Sequence, residues 1–125
     1  MTENEVAKEI VDACFQIHKK LGPGLFESVY EEVMAYELDK RGLFIRRQAP
    51  IPVMYDDVKL ELGFRADILV QDIVIVEIKS IEAIAAVHQK QLLTYLKLAG
   101  MKLGLLINFN VPLIKDGIQR IVNGL

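Results

Sequence analysis

The sequence predicts an α/β fold in a single domain over residues 1–125, with helices around a mixed four-stranded sheet. Apolar residues recur at helical spacing through roughly the first third of the chain, and they alternate with polar residues through the next quarter. A helix-like segment then separates two short aliphatic runs. With 125 residues, of which 52% are hydrophobic, the chain has the size of one ordinary domain and can bury a core.

Two helices are predicted at the start of the chain. The first covers residues 3–20, because Thr2 and Glu5 have the spacing of a capping box and apolar residues follow at every third or fourth position. Lysines in its last turn and Gly22 after it indicate where it ends. The second helix is predicted over residues 27–40.

A pair of antiparallel strands is predicted next. Residues 44–55 and 58–70 alternate apolar and polar side chains around Asp56 and Asp57, which favours two strands joined by a tight turn. Two prolines in the first of these strands indicate an edge strand or a bulge.

Four further elements complete the prediction. Residues 73–79 are predicted to form a third strand, residues 84–98 a third helix, and residues 102–109 a fourth strand. A short final helix is predicted over residues 114–122.

Composition excludes several classes of protein. The formal net charge is -2, so no global basic field attracts nucleic acid. No apolar run approaches the roughly 18 residues of a membrane span, and the acidic start MTENEVAKEI is unlike an export signal. These features predict a cytoplasmic protein with no membrane partner and no small-molecule cofactor. The single cysteine, Cys14, lies on an apolar helix face and is predicted to be a buried thiol.

The aliphatic stretch ADILVQDIVIVEIKS contains Asp72 at its centre and three further charged residues nearer its ends: Asp67, Glu77 and Lys79. If residues 71–73 form a three-residue loop with Asp72 in the left-handed conformation, Asp67 stands opposite Glu77 in a hairpin. A two-residue loop would instead put the two carboxylates on opposite faces of the sheet.

The three-residue loop has two chemical interpretations. It places four charged residues on one face of the sheet: Arg65, Asp67, Glu77 and Lys79. The other face is then apolar and consists of Phe64, Ala66, Ile68, Val70, Val74, Val76 and Ile78. The charged face is then either a balanced salt-bridge cluster or a site where two repelling carboxylates are compensated by a lysine and a divalent metal.

Two other stretches carry polar residues at helical spacing. Glu27 of GLFESVY begins a helix, with Tyr30 and Glu31 on the next turn of the same face. In HQKQLLTY, His88, Gln91 and Tyr95 form a polar stripe. Each has a structural explanation when taken alone. Glu27 can favour the helix dipole, Tyr30 can be a core residue, and Gln91 with Tyr95 can be a satisfied pair.

These residues together resemble the PD-(D/E)XK nuclease superfamily. The order helix, three strands, helix, strand, with Glu27, Asp67, Glu77-Ile78-Lys79 and Gln91-x-x-x-Tyr95, is similar to that superfamily, and GLFESVY matches the motif of its GxxExxY proteins. The resemblance covers nearly the whole chain. It implies a restriction-endonuclease-like three-layer α-β-α sandwich with an additional N-terminal helix. Ala66 stands where the name of the superfamily has proline, at a position that does not bind metal.

The resemblance implies a Mg²⁺ or Mn²⁺ site. Asp67, Glu77 and the backbone carbonyl of Ile78 would hold the ion, and Glu27 would bind it through water or hold a second ion. These are the hard oxygen ligands that Mg²⁺ prefers.

The resemblance also assigns catalytic roles. Lys79 would orient or help deprotonate the attacking water and offset the phosphate charge. Gln91 and Tyr95 would position these groups or touch the scissile phosphate, and His88 is a weaker candidate for that role.

The function implied is Mg²⁺-dependent hydrolysis of phosphodiester bonds in DNA or RNA. A chain of this size contacts only a short length of duplex, so we expect a homodimer or a partner. The alternative is a non-catalytic scaffold or protein-interaction module with the nuclease fold, which the net negative charge favours.

Overall fold

The protein is a sheet with helices on both faces. The computed structural model describes the backbone of residues 1–125 and every side chain except those of Glu61 and Leu62. The helices are α1 (Glu3–Leu21), α2 (Glu27–Lys40) and α3 (Ala86–Ala99), and the strands are β1 (Ile45–Tyr55), β2 (Val58–Val70), β3 (Val74–Lys79), β4 (Leu103–Asn108) and β5 (Ile118–Val122). The strand order is β1-β2-β3-β4-β5, and only the β3–β4 pair is parallel.

Two apolar clusters separate the layers. One joins α1 and α2 to one face of the sheet, and the other packs Leu92 and Leu96 of α3 against the opposite face. The predicted three-layer α-β-α sandwich, with α1 as the additional N-terminal helix, is therefore confirmed. No helix among the described residues has both the length and the apolar character that crossing a membrane requires.

The residues predicted to cap and to pack α1 make the expected contacts. Thr2 and Glu5 form the reciprocal capping box at the start of α1, with backbone-to-side-chain distances of 2.9 and 3.2 Å. Cys14 is fully buried and forms no disulfide, and its burial raises the pKa of the thiol. It is a core residue, as predicted.

The predicted final helix is wrong. Residues Ile114–Gly117 form one 3-10 turn, and Ile118–Val122 form β5, which pairs antiparallel with β4. Every residue of β4 is buried, so an edge without a neighbouring strand would leave backbone groups unpaired in the interior. This requirement and the β-branched residues of β5 outweigh the weak helical spacing. The sheet therefore has five strands rather than four.

The predicted register of the β2–β3 hairpin is confirmed. Ile68 pairs with Val76 and Val70 with Val74, which leaves the three residues 71–73 as the loop. Asp72 has a left-handed φ of 57°, as expected, and Gln71 has one of 54°. The register directs Asp67 toward Glu77 at the end where the two strands stop pairing.

The predicted alternation fails near Asp67. Phe64 and Ala66 pack in the apolar cluster beneath α3, whereas Ile68 and Val70 pack in the cluster beneath α1 and α2. Gln48, which lies opposite Asp67 in β1, has a left-handed φ of 47°, so the regular pleat is interrupted there. As a result, Arg65 does not share the environment of the three charged residues it was grouped with.

Tyr30 of the GLFESVY motif holds the turn between α1 and α2. Its ring is fully buried and stacks on Phe109, with ring centroids 4.4 Å apart. Its hydroxyl donates to the carbonyl of Gly22 at 2.5 Å and accepts from the N–H of Leu25 at 3.2 Å. This tyrosine therefore fixes where the motif's glutamate, Glu27, begins the helix.

We expect Tyr30→Phe to lower the free energy of unfolding by about 1–2 kcal/mol, because it leaves two backbone groups without their partner. Urea denaturation measures the change. The matched control is Tyr36→Phe in the same helix, whose side chain is exposed and whose loss of a hydroxyl should change stability by less than about 0.5 kcal/mol. Equal effects at the two positions would contradict the role given to the Tyr30 hydroxyl.

Candidate active site

The candidate site lies where β2 and β3 separate. Beyond the Ile68–Val76 pair, the Asp67 carboxylate replaces a backbone partner: its Oδ2 accepts the N–H of Ile78 at 2.8 Å. A carboxylate on one strand is thereby fixed against the backbone of the next strand. The neighbouring residue on that strand is Glu77.

Glu77 is the electrostatically strained member of the site. Its Oε1 atom is buried and has no hydrogen-bond partner among the described residues. Burial, the charge of Asp67 and a hydrogen bond between the two carboxyl groups together raise the pKa of Glu77 from 4.5 to about 9, with burial the largest cause. The positive charge of Lys79 acts in the opposite direction, and Glu31 adds a smaller repulsion.

Lys79 lies close enough to Glu77 to oppose the rise in its pKa, but it forms no salt bridge with any carboxylate that the structure describes. Arg65 is exposed and donates to the backbone carbonyl of Gln48 at 3.1 Å. The salt-bridge cluster of Arg65, Asp67, Glu77 and Lys79 is therefore absent among the described side chains. Neither Asp67 nor Glu77 has a salt-bridge partner among the described side chains.

A hydrogen-bonded network on the other side of Asp67 escaped the sequence analysis. Arg47 donates to Glu31 Oε2 through two nitrogens, at 3.0 and 3.1 Å. Gln48 Nε2 lies 2.6 Å from Glu31 Oε1 and 3.4 Å from Asp67 Oδ1. Glu31 is buried, so Arg47 compensates its charge and Gln48 connects it to Asp67.

Sequence signals for this network are weak. Glu31 lies one helical turn after Glu27, and the spacing predicts that both are on one face of α2, but it does not predict the bond from Arg47 to Glu31. No feature of the sequence distinguishes Arg47 from the other arginines and lysines expected at the surface. Nothing in the sequence marks Gln48, because its role arises from an unusual backbone conformation and from pairing between distant segments.

Glu27 secures the end of β3. Its Oε2 accepts the N–H of Ser80 at 2.9 Å, and the Ser80 hydroxyl donates to the carbonyl of Leu25 at 2.6 Å. Ser80 directly follows Lys79. The structure therefore joins the start of α2 to the lysine's strand, although it gives no direct contact between Glu27 and the Asp67–Glu77 pair.

A second clamp holds the segment after β3. The buried Asn108 at the end of β4 accepts the N–H of Ile81 and donates to its carbonyl, at 3.1 and 3.0 Å. Asn110 also donates to that carbonyl, at 3.2 Å. Both asparagines went unnoticed in the sequence, since an Asn after a strand is an ordinary loop residue.

The three candidate residues on α3 have different surroundings. Tyr95 stacks on Phe64 with ring centroids 3.8 Å apart, and burial followed by the Glu77 charge raises the pKa of its hydroxyl. His88 accepts the N–H of Ala85 through Nδ1 at 2.9 Å and so caps the start of α3. Gln91 is exposed and has no hydrogen bond to a described residue. Tyr95 is thus at the site, whereas His88 has a structural role.

The donor set suits a hard divalent cation. Two adjacent carboxylates, one with a buried and unpartnered oxygen, create negative charge that a cation would neutralise. Among the described residues, no group of three or more His, Cys, Asp and Glu side chains is arranged to hold a metal. The Asp67 and Glu77 carboxylates are hard oxygen donors, and two of them suit Mg²⁺ because that ion retains several waters.

The comparisons with known proteins agree with this geometry. A family model described as the PD-(D/E)XK nuclease superfamily matches residues 4–121, so the chain belongs to that superfamily. Its members are usually nucleases and typically use divalent metal ions. Neither the curated proteins nor the solved structures gave a significant match. The match is to the superfamily as a whole, so the closer resemblance to GxxExxY proteins stays a prediction.

We expect the metal-free protein to lose stability as the pH rises from about 4.5 to about 9. In that range folded Glu77 keeps its proton whereas the unfolded chain releases it, so the unfolded state binds fewer protons. The free energy of unfolding then falls by at most about 1.4 kcal/mol per pH unit. Glu77→Gln removes this contribution. The difference in free energy of unfolding between Glu77→Gln and wild type should therefore grow in favour of the variant as the pH rises.

Urea denaturation across this pH range, in the presence of a chelator, measures the effect. The control is Glu82→Gln, an exposed position, which should keep the wild-type dependence on pH. Parallel stability curves for wild type and Glu77→Gln would show that Glu77 is not strained in the folded state.

Proposed function

We propose that the protein is a Mg²⁺-dependent nuclease that hydrolyses phosphodiester bonds in DNA or RNA. The observation that carries this proposal is the half-buried pair of Asp67 and Glu77, in which the buried Glu77 Oε1 atom lacks a partner and no salt bridge to a described residue compensates the pair. Purely structural carboxylates are usually paired or hydrogen-bonded when buried. Membership of a nuclease superfamily supports the same reaction.

Asp67, Glu77 and the backbone carbonyl of Ile78 would hold Mg²⁺ or Mn²⁺. Glu27 would contribute through a water or hold a second ion. When bound, such an ion makes a water more acidic and stabilises negative charge on phosphoryl oxygens. The hydrogen bonds from Ile78 and Gln48 orient the Asp67 carboxylate, with one donor on each oxygen, so each retains capacity to accept a further ligand.

The remaining roles follow from position and charge. Lys79 is free of salt bridges to the described carboxylates, so its ammonium can orient the attacking water and offset the charge of the phosphate. Tyr95 is held by its stacking on Phe64 and can donate its hydroxyl to the phosphate or to Glu77. Gln91, one turn earlier on α3, is assigned a contact with the substrate.

We expect Lys79→Ala to reduce cleavage by at least about a hundredfold while Mn²⁺ binding survives, because the oxygen ligands stay in place. Glu77→Ala should abolish both. Isothermal titration with Mn²⁺ and cleavage of single-stranded, duplex and branched DNA and RNA measure the two properties. The control is Lys8→Ala on the exposed side of α1, which should cleave at the wild-type rate.

Two outcomes would overturn the proposal. A wild-type protein that neither binds Mg²⁺ or Mn²⁺ at millimolar concentration nor cuts any substrate would favour the scaffold hypothesis. If Lys79→Ala cut as fast as wild type, the measured activity would belong to another site or to a contaminant.

We expect Gln48→Ala to weaken Mn²⁺ affinity or cleavage by about 10- to 100-fold, the usual effect of removing a residue that orients a metal ligand. The substitution removes the donor to Asp67 Oδ1 and breaks the link to Glu31. Isothermal titration with Mn²⁺ and cleavage rates measure the change, beside Gln16→Ala on the exposed side of α1. Wild-type values for Gln48→Ala would show that Ile78 alone orients Asp67.

A further inference from the structure

An exposed aromatic ring stands beside the candidate site. Phe26, the residue immediately before α2, is 82% exposed, the largest exposed fraction among the exposed large apolar residues that the structure describes. It borders an open cleft of about 540 Å³ together with Ser28, Ser80 and Asn110. The tight turn held by the Tyr30 hydroxyl fixes the backbone that carries the ring.

The cleft lies at the end of β3. Glu27 and Ser80 both line it, and they are joined by the 2.9 Å hydrogen bond from the Ser80 N–H to Glu27 Oε2. Ser80 directly follows Lys79, so the cleft begins one residue along the chain from the proposed catalytic lysine. A nucleotide next to a phosphate at Lys79 is therefore within the reach of a substrate that also enters this cleft.

The chemistry of the cleft favours an uncharged planar group. None of the described side chains that line it is cationic, so the lining offers no positive side chain to a phosphate. Phe26 offers the face of an aromatic ring, and Ser28 and Asn110 offer polar groups near it. A nucleobase has both a flat face for stacking and a polar edge for hydrogen bonds.

We propose that this cleft binds an unpaired nucleobase next to the scissile phosphate, with the base stacked on Phe26. The inference rests on the proposed nuclease function and narrows its substrate. Both faces of a base inside a duplex are already covered by its neighbours, so stacking on Phe26 requires a single strand or a splayed end. The substrate is therefore single-stranded at this position.

A second copy of the chain is a poorer occupant. The apolar surface beside Phe26 consists of Leu25 and Val29, which are only 38% and 39% exposed. One aromatic side chain buries about 150–250 Å², whereas a stable interface buries roughly 800 Å² on each partner. The surface around Phe26 is thus the right size for a base and small for a dimer.

The test compares binding of a fluorescein-labelled single strand of mixed sequence to variants at Phe26. Binding is measured by anisotropy in the Glu77→Gln background, where a proposed metal ligand is lost and the strand should stay intact. Phe26→Ala should weaken binding by about 5- to 150-fold, the usual effect of losing one stacked base. Phe44→Ala removes a ring that is 55% exposed at the start of β1 and should bind as the Glu77→Gln background does.

A tryptophan substitution reports stacking directly. The chain contains no Trp, so Phe26→Trp introduces the single fluorophore of its kind. It should retain affinity, and the single strand should quench its fluorescence more than a blunt duplex does at equal occupancy. In the wild-type background, Phe26→Ala should raise KM for single strands more than it lowers kcat.

The outcomes separate the two proposals. If the wild type cuts nucleic acid but Phe26→Ala binds and cuts single strands as well as its parent does, this inference fails and the nuclease function stands. If Phe26→Ala changes a dimer to a monomer by light scattering without changing affinity per chain, the surface is an interface between copies and the inference fails. If no variant or wild type binds or cuts nucleic acid, the proposed function fails and this inference with it.

Discussion

The burial of Glu77 beside Asp67 is the constraint around which the rest of the site is arranged. Two carboxylates meet where β2 and β3 separate, and burial makes the charged form of Glu77 costly. A core of apolar residues on both sheet faces holds the strands in place despite this cost. The protein therefore maintains at one point an electrostatic arrangement that its own described side chains do not neutralise.

The surrounding hydrogen bonds orient the carboxylates without cancelling their charge. Ile78 and Gln48 each place one donor on Asp67, and Arg47 neutralises Glu31 rather than the pair itself. Lys79 stays outside the described salt bridges. The residues that position the site, Gln48 and Arg47, are therefore different from Lys79, whose charge stays available to a substrate.

The GLFESVY motif connects the helices to the site. Tyr30 secures the turn from inside the core, and Glu27 secures the end of β3 through Ser80. Phe26 immediately precedes Glu27 and is itself exposed. The GLFESVY motif thus combines two residues that make structural contacts with one exposed aromatic ring, so its residues have different roles.

The sequence by itself determined the elements whose cause is local, together with the family. Helical spacing predicted α1 and α2, and a capping box marked the start of α1. Of the two loop lengths that the sequence allowed between β2 and β3, the structure has the three-residue loop that brings Asp67 toward Glu77. Only the tertiary structure decided features that depend on distant partners. The segment 118–122 is a strand because buried β4 needs a neighbour, and Gln48 reaches Asp67 because β1 leaves its regular conformation there. Burial likewise decided the pKa of Glu77, since desolvation depends on every element packed around a residue rather than on its neighbours in the chain.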